Sequence, residues 1–167
     1  MTKNEPFKEL PWQYIPEPKI GHYPPVFIYG FPLDDGVSGI EQLARSAGIL
    51  KPQETIPPRG LDHILSQTLK HFEKKCNLSQ EEFLAVDGCY SKTASYVLTL
   101  AKNYNVGHIA PKKLDHVIEV IGSYLPGREP QWFLDPDIVD MEYQNFEIPG
   151  SSFHHSLWRL LARPSPC

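Results

Sequence analysis

The sequence predicts a mainly α-helical protein: a compact bundle of four to five helices with proline- and aromatic-rich extended arms and at most a small β element. Three observations carry this expectation. Of the 17 prolines, Pro111 alone falls between Arg59 and Leu125, and proline breaks helices by removing an amide donor and fixing φ. Within that stretch apolar residues recur at the i, i+3, i+4 spacing of amphipathic helices. On either side, prolines mix with Trp, Tyr and Phe, a composition suited to arms that pack on a surface. The chain divides accordingly into an arm over 1–58, a helical core over 59–127 and an acidic, aromatic segment over 128–167 packed on that core, one domain overall.

The arm opens with Pro6, Phe7, Pro11, Trp12, Tyr14, Pro16, Pro18 and Tyr23. A flexible linker would be poor in aromatics, so Trp12 and Tyr14 are expected to anchor this stretch on a surface of the chain itself or of a partner. No two prolines stand three apart, which excludes the PxxP ligand pattern. Val26–Tyr29 reads as a β-strand bounded by Pro25 and Gly30. A lone strand needs a partner, sought near Ile138–Val139 or Phe146–Ile148, or in another subunit. Asp34-Asp35-Gly36 is a turn. Ser38 and Glu41 form a capping box opening a helix through Ala47, with Ile40, Leu43 and Ala44 inward and Gly48 as its stop. Residues 51–58 connect to the core.

In the core, Leu61, Ile64, Leu65, Leu69, Phe72 and Cys76 form one helical stripe, ended by Asn77. Ser79 with Glu82 makes a second capping box, stapled by Leu78 and Phe83, and starts a short helix that Gly88 ends. A third helix is expected from Ser91, with Ala94, Val97, Leu98 and Ala101 on one face. A fourth starts at Pro111, a favourable first helical residue, and carries Leu114, Val117, Ile118, Ile121 and Leu125 to the Pro126-Gly127 stop.

The run Leu78-Ser79-Gln80-Glu81-Glu82-Phe83 through Gly88, Ser91 and Thr93 resembles the helix-turn-helix of phage-repressor and Cro-type DNA-binding domains, and the likeness extends over residues 61–122. It implies a repressor-like bundle. Ser91, Lys92, Ser95 and Tyr96 would then face the major groove, with Gln80 and Thr93 near phosphates. Leu84-Ala85, Asp87 and Tyr90 depart from the family's pattern. Charge argues against the DNA reading: eight Lys/Arg face seven acids between Arg59 and Leu125, whereas phosphate binding needs a clear basic patch.

The last segment gathers Glu129, Asp135, Asp137, Asp140, Glu142 and Glu147. Asp135–Asp140 fails the calcium-loop pattern, because Asp140 stands where Gly is required. Ser151 or Ser152 caps a final helix with Phe153, Leu157, Trp158 and Leu161 on one face. Seven histidines and three cysteines show no metal-ligand spacing, so no metal, no cofactor and no catalytic residue is assigned. There is no run of 18 apolar residues, hence no expected membrane span. The odd cysteine count and the absence of a signal-like start point to the cytoplasm or nucleus. The expected function is a non-catalytic interaction or assembly module that binds a protein partner or itself, with Trp12, Tyr14, Trp132 and Trp158 as contact residues. The alternatives are a helix-turn-helix DNA-binding regulator using residues 79–103 and a small enzyme with an unidentified site.

Overall fold

The computed structural model describes residues 5–33, 36–57, 59–105 and 109–136. The strands are β1 (Phe27–Leu33), β2 (Ala85–Gly88), β3 (Tyr96–Lys102) and β4 (Gln131–Leu134), and the helices are α1 (Gly36–Ser46), α2 (Leu61–Lys75) and α3 (Pro111–Tyr124). The protein is therefore mixed α/β, three helices on a four-stranded antiparallel sheet, and the expected mainly α bundle is overturned. The sheet order is β2-β3-β1-β4. The chain passes from β1 through α1 and α2 to the parallel strand β2, and from β3 through α3 to the parallel strand β4. Each crossover leaves a gap that a strand of the other fills. This is the interleaved split βαβ, or ferredoxin-like, topology, with one additional helix.

One sheet face buries the helices. Phe31 and Leu33 of β1 and Leu98 and Leu100 of β3 pack with Leu43, Phe72, Leu114, Val117 and Ile121. On the opposite face Ile28, Val97 and Phe133 are covered by Ala94 of the β2–β3 loop.

The helices at 61–75 and 111–124 follow their apolar stripes, and Asn77 takes the left-handed φ of 53° expected of a stop. The expected second and third helices do not form, and residues 79–103 make a turn, β2, a loop and β3 instead of a helix-turn-helix. Half of the second capping box is present, since Ser79 N–H donates to Glu82 Oε2 at 3.0 Å. Glu82 is also held by Lys113 Nζ at 2.5 Å and by Ala110 N–H at 3.1 Å. The carboxylate thus ties a turn to α3 rather than opening a helix. Val97–Ala101 is a near-continuous apolar run because β3 is central and buried on both faces.

β1 is the expected strand but runs through Gly30 and Pro32. Its partners are β3 and β4, while the partners suggested by sequence at 138–139 and 146–148 lie outside the described residues. Proline is tolerated because β4 pairs only with residues 27–30. Beyond that point β1 has a neighbour on one side, and the Pro32 carbonyl turns away to accept Arg128 Nη1–H at 2.7 Å. β4 is not among the expected strands, although its segment is expected to pack on the core. The expected final helix lies outside the described residues. Among the described residues no helix is long and apolar enough to cross a membrane.

Candidate functional site

The amino-terminal arm is held on the sheet by its apolar side chains and by one amide. Phe7 forms a single antiparallel bridge with Trp132, donating to its carbonyl at 2.9 Å and accepting its N–H at 2.7 Å. Leu10 is buried against Phe27, Ala101 and Trp132. The Tyr14 ring lies 4.6 Å from that of Phe27, centroid to centroid. Asn103 then locks the arm's exit. Its Oδ1 accepts Phe27 N–H at 2.9 Å, and its Nδ2 donates to Tyr14 O at 3.0 Å and Pro25 O at 2.8 Å. Tyr104 hydroxyl donates to Pro24 O.

Between these anchors the chain makes a firm knuckle. Glu17 and His22 exchange backbone hydrogen bonds of 3.0 and 3.1 Å around Gly21, whose φ of 71° is available to glycine without strain. His22 Nε2 donates to Gln13 O at 2.8 Å. Ahead of the knuckle the single 3-10 turn Trp12–Tyr14 presents Trp12, 79% exposed, and Ile20 and Tyr23 are also exposed.

Of the sequence-derived contact residues that are described, Trp12 alone projects into solvent. Tyr14 is half-buried as an anchor, Trp132 is part of the core, and Trp158 lies outside the described residues. The residues assigned to DNA do not share a helix. Gln80 sits in the turn before β2. Ser91 is buried, and its Oγ accepts Thr93 N–H at 3.1 Å. Exposed Lys92 pairs with Glu5 at 3.8 Å. Ser95 closes the loop by accepting Cys89 N–H, and Tyr96 opens β3 opposite Gly88. Exposed Ile20 and Tyr23 are not among the sequence-derived contact residues. The Pro18 and Gly21 turn residues were the available signal that the chain reverses there.

Electrostatics elsewhere is structural. Lys113 holds the Glu82 carboxyl down at about 2, helped by the Ser79 and Ala110 amides. Burial pushes the Tyr29 phenol up to about 12, with the Asp115 charge adding to it. Burial also raises the Cys76 thiol, partly countered by Lys75. On the outer sheet face Lys102 lies 3.5 Å from Asp87 and 3.3 Å from Asp135, and Thr99 Oγ1 donates to Asp87 at 2.7 Å. An open groove of about 370 Å³ is lined by Glu5, Pro6, Pro32, Thr93, Arg128 and Gln131. Its arginine is engaged by Pro32 O and Gln42 Oε1. Among the described residues no group of three or more His, Cys, Asp or Glu could hold a metal ion. The outer face of the central strands carries Ile28, Gly30, Val97 and Thr99, with no aromatic platform on which bases could stack.

The class defined so far is a split-βαβ sheet with an ordered, aromatic-bearing arm. No family model, curated protein or solved structure matches the chain.

Proposed function

We propose that this protein is a non-catalytic interaction module whose arm docks on a protein partner through Trp12. The supporting observation is the exposure of Trp12, 79%, on a segment fixed at Phe7, Leu10, Tyr14 and Asn103. An indole held in water on an ordered turn gains contact area on docking at little ordering cost, which is why tryptophan dominates interface hot spots. Ile20 and Tyr23 are further exposed apolar residues of the same arm. The partner surface that suits it is an apolar pocket with a polar rim.

A photo-crosslinking residue placed at position 12 tests this in extract of the source cells. The expected result is a discrete adduct competed by excess unaltered protein and not by Trp12→Ala protein. The reading is overturned if no adduct forms, or if Trp12→Ala competes equally well.

A further inference from the structure

The two edges of the sheet are treated differently. In β4 the residues facing outward are Trp132, Leu134 and the preceding Pro130. Trp132 is taken at both backbone groups by Phe7, Leu134 O accepts Tyr90 N–H at 2.8 Å, and Pro130 has no N–H to offer. That edge is held at Trp132 and at the Leu134 carbonyl. In β2, Cys89 N–H donates to Ser95 O at 3.0 Å. Alternation of the antiparallel ladder therefore turns Ala85 and Asp87 towards β3, and Val86 and Gly88 outward. No hydrogen bond from the described residues reaches those outward groups. Open edges of this kind template strand addition.

Charge selects the occupant. The chain around the edge carries Glu81, Glu82 and Asp87, and Glu73 Oε1 accepts Leu84 N–H. Lys113 and Lys102 offset two of these acids. A second copy is disfavoured in the symmetric register centred on Asp87. Setting Val86 opposite Gly88 of that copy would place the two Asp87 carboxylates face to face, which destabilises a pair, and each chain carries a net charge of −4. We propose that the edge of β2 takes an extended basic segment of a partner protein as a fifth strand. The segment bonds the backbone of Val86 and Gly88 and sets a Lys or Arg on the outer face, where it shares Asp87 with Lys102. Phe83, half-exposed, adds apolar contact where the edge begins. The proposal rests on the interaction-module reading but uses a surface separate from Trp12.

Amide hydrogen exchange by NMR tests it, with acetyl-Val-Lys-Val-Lys-Val-amide as the probe. In the free protein Val86 and Gly88 should exchange rapidly. The Lys peptide should slow both by about tenfold, whereas its Glu counterpart and an N-methylated Lys peptide should not. Gly88→Pro removes one outward donor, and an added Cβ there meets only Pro136 Cγ at an ordinary 3.7 Å. This variant should lose the effect at Val86, and Trp12→Ala should keep it, which separates failure here from failure of the Trp12 reading. Four outcomes overturn the proposal. They are protection already complete in the free protein, protection that grows with protein concentration alone, no slowing by the Lys peptide, and equal slowing by the N-methylated peptide.

Discussion

Asn103 satisfies three backbone groups that have few other partners. Replacing it with Leu keeps the branched shape but strands Phe27 N–H and the carbonyls of Tyr14 and Pro25 beside a residue that is 1% exposed. The expected loss is about 3 kcal/mol, read as a lower urea midpoint with an unchanged slope. Glu82 offers a pH test. Its folded value of about 2 lies below the ~4.3 of an unfolded Glu. The stabilisation is therefore present above the unfolded value and is lost as pH falls from there through about 2. Thermal midpoints of the native protein should drop across that window. Glu82→Gln should start lower and drop less, and equal slopes for both proteins would assign the acid sensitivity to other carboxylates.

Single elements differed in how openly the sequence announced them. α2 and α3 each bury one stripe against the sheet, so their period of 3.6 stands out, and Pro111 marks the start of α3. β3 did not stand out. Ala94, Val97, Leu98 and Ala101 fit a helical face by coincidence, because a strand buried on both sides is apolar at every position and shows no period of two. β2 was hidden by a capping box whose glutamate belongs to Lys113, 31 residues away. In β1 the decisive residue is Gly30. A Cβ there would lie 2.0 Å from Leu98 O, at the register shift between Tyr29 and Gly30. Gly30→Ala must displace β3, and should cost at least about 2 kcal/mol by chemical denaturation, while Gly48→Ala on the surface strains φ alone.

For the molecule as a whole, the arm is a structural part and not an appendage. Removing residues 1–16 uncovers Phe27 and Trp132 and takes away Leu10 and Tyr14. The sheet should persist, less stable by roughly 3–5 kcal/mol, with tryptophan emission shifted to the red relative to a full-length Trp12→Phe protein, which like the shortened chain lacks the exposed indole. An unshifted spectrum with an unchanged urea midpoint would show that the arm contributes nothing to the core. Local signals written in neighbouring residues were enough to determine α1, α2, α3, the strand at 27–29 and an aromatic arm that packs. Caps, stops and stripes act within a turn or two of chain. The arrangement into a sheet was decided only by tertiary contacts. Tyr96–Lys102 became a strand because β1, far away in sequence, supplied its hydrogen-bonding neighbour. The same holds for the exposure of Trp12 and the burial of Trp132. Both are tryptophans in proline-rich surroundings, and only the packing of Phe7, Leu10 and Tyr14 onto the sheet separates the one that faces water from the one that fills the core.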